Sequence, residues 1–386
     1  MTKFPIALSH AENWSSAAKE LETALAGFHA DGDEVQLGWL YVTDAHAADL
    51  SSMHTYLRQK TKIDNWVGSV GMGICWNDGV GDVGEAFDRP VAVAMVSRHS
   101  RDSFVMLPRL GASVDEISEA VRDWMRTRMP PFGVVCGDPT NGTVLTLIES
   151  LSLEMENGAL EVPGFLIGGL TSSRGVHYQL AGEVASGGLS GVLFAPDVKV
   201  ATGLTQGYVP VGMAHRVTDC MENVVMTLNG EPALSVFKDD IGELLARDLS
   251  RVAGYIHAAF PVAGSDMGDY VVRNLAGIDP ERGWIAIGGH LEAGDQLMFV
   301  RRDPAGAEED LIRMVRDLID RLPGPARGGL YFSCVARGPN LFGQEGREME
   351  IIGEMMKDVP LVGFFGQGEI SNNRLYGYTG VLALFL

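Results

Sequence analysis

Arginine, glutamate, cysteine and glycine gather around two apolar runs near the end of the chain. The run LYFSC ends at Cys334, and Arg337 and Gly338 lie in the loop after it. The run VPLVGFFGQGEI then places Gly363, Gly366 and Gly368 just before Glu369. A guanidinium holds a carboxylate through two parallel hydrogen bonds. A glutamate beside it either orients the arginine or receives a ligand amine. Glycines let backbone N–H groups approach a carboxylate or phosphate closely. In α/β sheets, ligands bind beyond the carboxyl ends of strands. Cys334, Arg337, Gly338, Gly363, Gly366, Gly368 and Glu369 are therefore the expected ligand-binding set, suited to a zwitterion. A second reading stays open beside it. The glycines then serve strand packing, Arg337 pairs with Glu369 or Glu348 to fix its loop, and Cys334 is a small buried hydrophobe.

Other chemistries match less well. The nine histidines form no HExxH and no His–Cys pair at metal spacing. His177, His215 and His290 stand at turns or strand ends, and each is a candidate axial haem ligand. No CxxCH is present, which argues against covalently attached haem. The pairs Gly71–Gly73 and Gly366–Gly368 lack the third glycine of a dinucleotide fingerprint, and they follow a helix instead of opening one. Ser190 in GGLSGV does not make a nucleophile elbow. An enzyme using Cys334 as nucleophile is an alternative from another class, needing a base brought near by the fold.

The elements that position these residues alternate in type. Ser9–Glu12 reads as a capping box opening a first helix, and Ser113–Glu116 as a second. VQLGWLYVT is a buried strand, followed by a helix near 46–60, a glycine-rich stretch and the strand PVAVAMVS. The order repeats from FGVVCG, with a helix over 143–158, and again from GGLYFSCVARG. Val67–Gly73 superimposes on Val362–Gly368 as V-G-x-x-G-x-G. Segments 35–97, 132–196 and 329–386 are thus expected to share one strand–helix–strand–strand unit. Further helices are expected over 233–254 and 307–321, and Asn229-Gly230 marks a hairpin. The fold class is α/β, a two-domain chain of repeated units with mixed sheets, and a boundary falls near 200–230.

Composition removes whole classes. Fifty acidic against 30 basic residues leave a net charge of −20. With no basic stripe, nucleic acid and anionic membrane surfaces are not expected partners. Four scattered cysteines without CxxC suit a reducing cytoplasm. The amino-terminal stretch lacks the apolar core of a signal peptide, and no apolar run is long enough to span a membrane.

Five stretches resemble the FIST domains in order and spacing: GLTQGYVPVGMAHRVTDCMENVVMTLNGEPA, YVVRNLAGID, GGHLEAGDQLMFVRRD, LYFSCVARG and VPLVGFFGQGEI. The resemblance divides the chain into a FIST N-terminal domain at 1–220 and a FIST C-terminal domain at 221–386. It implies a non-enzymatic sensory module of signal transduction that binds a small molecule, an amino acid among the candidates, and regulates a partner. It also implies an alternative, a haem-binding nitric-oxide sensor acting on a histidine kinase or a cyclic-di-nucleotide enzyme. The resemblance further implies a stand-alone input module, without a kinase, cyclase or methyl-accepting output region. It departs from the family pattern at Ser371-Asn372-Asn373, where a Gly–Pro turn is usual.

Overall fold

The computed structural model describes residues 2–28, 34–155, 164–252, 254–262 and 269–386. Two compact units emerge. One holds residues 1–205, 311–375 and 379–386; the other holds 206–310 and 376–378.

In the first unit one pattern occurs three times. A strand and a helix lead into a parallel strand–helix–strand crossover, then a hairpin, then a return strand. The first pass uses Ile6–Ser9, helix Trp14–Leu25, strand Glu34–Thr43, helix Leu50–Thr61, strand Asn65–Gly71, a hairpin of Gly73–Asn77 and Val83–Phe87, and strand Ala92–Ser100. The second runs from Phe104–Leu110 to Leu189–Phe194. The third begins at Val200–Thr205 and ends at Gly380–Phe385. The second unit of the chain is inserted into this third pass, between its first strand and helix Pro304–Asp320.

Each pass builds a sheet around two parallel strands. They are Glu34–Thr43 with Asn65–Gly71, Phe132–Gly137 with Phe165–Leu170, and Gly328–Cys334 with Leu361–Gly366. The central strands are buried on both faces, so their sequences are continuous apolar runs rather than alternating ones. Inner faces of all three sheets share one core containing Trp39, Val134, Leu330, Phe194 and Phe385. Helices cover the outer faces in three separate clusters. Each buried large apolar side chain contributes roughly 1.5–3 kcal/mol.

The hairpins do not stay at home. The first pass lends its hairpin to the third sheet, where Gly73–Asn77 pairs with Leu361–Gly366. The second lends Gln179–Ala181 to the first sheet, and the third lends Glu369–Asn372 to the second. The exchange closes a ring, which gives the unit a pseudo-threefold plan. One glycine in each pass makes the parallel pairing possible. A Cβ at Gly68, Gly168 or Gly363 would fall 1.7, 1.8 or 1.6 Å from the carbonyl oxygen of Leu40, Val135 or Tyr331, its partner in register. Val67–Gly73 and Val362–Gly368 therefore occupy equivalent places, as their sequences predict.

The second unit is a seven-strand antiparallel path with two short strands added at its side. Asn229 and Gly230, with φ of 53° and 87°, turn Val224–Leu228 into Glu231–Pro232 as the hairpin signal predicts. Helix Ala233–Ile241 packs on this sheet through Phe237, 4.7 Å from Phe299 between ring centroids.

Several local expectations are corrected. Helix Trp14–Leu25 is capped by Asn13, whose side chain accepts from Ser16 N; the Ser9 hydroxyl instead donates to Glu20. The Ser113–Glu116 box exists but closes only the 3-10 turn Val114–Glu116, and the helix starts at Glu119 under Ser118. Helix Leu50–Thr61 is preceded by a 3-10 turn over Asp44–Asp49. The helix expected over 233–254 breaks at Gly242, φ 78°, into Ala233–Ile241 and Glu243–Ala246. The end of the helix expected over 143–158 lies outside the described residues.

Candidate functional site

The pseudo-threefold plan allows three equivalent loops to be compared. Each follows the carboxyl end of a central strand, at Thr43, Asp138 and Cys334. Three residues further on stand His46, Asn141 and Arg337. His46 meets the Ala11 carbonyl at 3.1 Å. Asn141 donates to the Gly111 and Gly187 carbonyls. Both tie a loop with neutral groups. The third loop is different in length and charge. Its helix, Arg347–Met355, starts thirteen residues after Cys334, against seven and six in the other passes, and the extra chain forms the short helix Gly338–Phe342.

Arg337 is fully buried. Its Nε donates to Glu348 Oε1 at 2.8 Å, and Nη2 lies 2.8 Å from the same oxygen. Nη1 has no hydrogen-bond partner, and Nη2 meets Glu348 as an ion pair without hydrogen-bond geometry. Glu348 is fully buried too. It also accepts from Tyr331 Oη at 2.8 Å, Ser333 Oγ at 3.0 Å and Gly338 N at 3.0 Å. Glu348 sits on the apolar stripe of its helix, beside Met349, Ile351 and Ile352.

Glu369 arrives on the strand after the crossover and is fully buried. Its Oε2 accepts from Thr379 N at 3.1 Å and Thr379 Oγ1 at 2.8 Å, while Oε1 has no partner. Burial pushes the Glu369 carboxyl up to about 8. The Thr379 hydrogen bonds, the Arg337 charge and the Cys334 thiol oppose that shift without cancelling it. Cys334 is 6% exposed and its thiol bonds the Glu369 carboxyl.

A third carboxyl comes from the first pass. Glu85, on the lent hairpin, accepts from Gly346 N at 3.0 Å and Met349 N at 3.1 Å, capping helix Arg347–Met355. Burial, then the Glu348 charge, pushes Glu85 up to about 8. The region thus holds one guanidinium and three carboxyl groups. Two of those carboxyls keep their protons at pH 7, and Arg337 remains charged beside Glu348.

The structure brings Cys334, Arg337, Gly338 and Glu369 together. Gly363 and Gly366 stand close by, but their space is filled by the chain itself. A Cβ on Gly366 would lie 2.5 Å from the Leu170 carbonyl oxygen, as one on Gly363 would from Tyr331 at 1.6 Å. Gly368 gives its carbonyl to Leu170 N at 2.8 Å. Gly338, φ 47°, packs its α-carbon side toward Phe87 and Phe365.

The three histidines make contacts of their own. His177 Nδ1 lies 3.1 Å from Thr171 Oγ1. His215 has both ring nitrogens engaged, Nε2 with Asp240 at 2.7 Å and Nδ1 with Asn229 at 2.9 Å. The His290 side chain is 75% exposed beside Glu292. Among the described residues no group of three or more His, Cys, Asp or Glu side chains is placed to hold a metal ion.

Sequence reasoning named Glu348 only as a candidate partner for Arg337 and missed Glu85, Tyr331 and Thr379. A glutamate inside an apolar helical stripe is a readable signal for Glu348. Nothing near Glu85 in sequence announces its destination.

Comparison with known proteins agrees with the motifs. A model described as the FIST N domain matches residues 36–231, and one described as the FIST C domain matches 233–372. An uncharacterized protein of Mycobacterium tuberculosis H37Rv is 33% identical over 260 residues, covering 64% of this chain and 66% of the relative. An uncharacterized protein of Mycobacterium bovis is 33% identical over 212 residues, covering 53% of this chain and 55% of the relative. The chain spans less than two thirds of the length of either relative.

Proposed function

The chain belongs to the FIST family, a family of sensory modules of signal transduction, and from that premise we propose that its ligand is a small zwitterion, an amino acid, held between Arg337 and Glu369. The observation that carries this reading is a matched pair of unmet needs. Arg337 presents a buried Nη1 without an acceptor and an Nη2 held only by its ion pair with Glu348, and Glu369 presents a buried oxygen without a donor. A buried polar group left unpaired costs about 1–3 kcal/mol, more when charged. A ligand carboxylate on Arg337 and a ligand ammonium taking the place of the Glu369 proton would meet both needs at once. Access requires movement of the segment over the site. The three glycines that bound it, Gly338, Gly343 and Gly346, all have positive φ, and Phe342 within it lies 5.5 Å from the guanidinium. A ligand that holds the segment closed has different affinity for its two states, which is what regulation of a partner requires.

Haem finds less support in these residues. His215 would have to give up a hydrogen bond at either ring nitrogen to become an axial ligand, and His290 lies on the surface. Cys334 as a nucleophile needs a base at neutral pH, and the carboxyl its thiol meets holds its own proton to about pH 8. The zwitterion reading is tested by a thermal-shift screen of the twenty amino acids, followed by calorimetry of any hit on wild type and Arg337→Lys. At least tenfold weaker binding by the lysine variant is expected, because an ammonium lacks the two-pronged geometry. A hit whose affinity is unchanged in Arg337→Lys places the ligand elsewhere, and no hit among the twenty ends the amino-acid reading.

A further inference from the structure

We propose that the groove between the loop Asp78–Asp82 and helix Arg347–Met355 docks a basic peptide segment of a partner protein, an aliphatic side chain of that segment resting against Val80 and Val83. The groove has a volume of about 470 Å³. It lies beside the charged cluster but shares no residue with the ligand reading and stands independently of it.

Three observations carry the proposal. Val80 at the loop apex is 89% exposed, yet its backbone is fixed. Asp78 Oδ1 accepts from the N–H groups of Val80, Gly81 and Asp82 at 2.8, 2.9 and 2.9 Å. Buried Asn77 fastens the loop to the helix end through the Met356 carbonyl at 3.2 Å. An apolar side chain displayed on a preorganised loop loses little entropy on binding. Next, Val83 and the helix close the floor of the groove. Gly353 faces Val83, and a Cβ there would come within 3.1 Å of the valine methyls, so the valine rests on the helix backbone and Val80 stands above that floor. Last, Glu350, Glu354 and Asp358 line the groove with Lys357; Arg347 lies 3.6 Å from Glu350 and Lys3 3.0 Å from Asp358, so Glu354 carries the negative charge that faces a partner. Complementary potential fixes the sign of a partner, and here it selects Lys or Arg flanking the aliphatic anchor. A second copy of the chain, at net charge −20, is the wrong occupant.

The test uses the whole chain and a fluorescein-labelled amphipathic peptide of lysine and leucine, read by fluorescence anisotropy at about 150 mM salt, where long-range attraction is well screened. A glutamate–leucine peptide of the same length is the control. Micromolar binding of the basic peptide is expected, with no binding of the acidic one. Val80→Asp and Glu354→Lys should each weaken it at least tenfold, and Glu183→Lys, an exposed acid on another sheet, should leave it unchanged. Melting curves verify that the variants fold, since every substituted side chain projects from the surface. Equal losses in all three variants would mean diffuse attraction to an acidic protein and would overturn the site. So would undiminished binding by Val80→Asp, or absence of binding by wild type. Dimers in sedimentation that Val80→Asp abolishes would make a second copy the occupant and overturn the choice of partner.

Discussion

Glu369→Gln should make the protein more stable, and increasingly so as the pH rises from 5 to 8. The folded state keeps a proton on Glu369 until about pH 8, whereas an ordinary glutamate releases it near 4.5. Between those values the folded chain binds more protons than the unfolded one, so stability falls with rising pH over that window and is level above it. Each pH unit is worth about 1.36 kcal/mol. The penalty is therefore under ~1 kcal/mol at pH 5, on the order of 3 kcal/mol at pH 7, and greatest near pH 8. Glutamine matches the protonated carboxyl in shape and still accepts from Thr379, but carries no such term. Glu85, raised for the same reason, titrates in both proteins and drops out of the difference. Urea unfolding of wild type and variant, followed by circular dichroism at pH 5, 6, 7 and 8, reads that difference directly. A difference that stays constant with pH would refute the buried-proton account. A variant that loses ground as pH rises would show that Glu369 is ionised in the fold and held there by Arg337.

Gly68→Ala, Gly168→Ala and Gly363→Ala should each cost ~3 kcal/mol or more, because each methyl meets a carbonyl of the neighbouring strand; melting temperatures that fall together confirm the equivalence, and one unaffected variant breaks it. Arg337→Ala strands the Glu348 charge in the core and should cost ~3–5 kcal/mol, whereas Arg337→Lys, which keeps a cation there, should cost less; chemical denaturation separates them. Any amino acid that binds through Glu369 must displace its proton, so affinity should rise between pH 6 and pH 8, and calorimetry in two buffers of different ionisation heat should detect proton release.

The repeated unit was legible because its cause is local. V-G-x-x-G-x-G recurs because a parallel strand pair needs a glycine where one backbone crosses close to another's carbonyl, and that need is the same in each pass. The second pass was weaker in sequence: its equivalent glycine, Gly168, has Gly169 after it and then a long crossover through Thr171 and His177 instead of G-x-G. Helix starts were misplaced by a few residues for a plain reason. Ser, Asn, Thr and Asp all accept from free backbone N–H groups, so Ser9 and Ser113 look like caps whichever of their neighbours does the capping. The exchange of hairpins was not legible at all. A glycine-rich crossover fixes how sharply the chain turns, and says nothing of which sheet receives the strand that follows.

That exchange is also what decides how much of the site a sequence can disclose. Arg337, Cys334 and Glu369 were within reach of inspection because they flank one crossover. Glu348 needed the helical stripe to be read for its exception. Glu85 lies more than 250 residues before the helix it caps, and arrives only because the first hairpin is lent to the third sheet. The same loan places Val80 and Val83 along that helix. A substitution in the first pass can thus alter the charge environment of a site in the third, and any ligand that moves the segment between Gly338 and Gly346 acts on the backbone N–H that Glu85 holds. The physical link from pocket to surface is that helix N-terminus: Glu85 at its start, Glu348 one residue inside, and Gly353 about one and a half turns on.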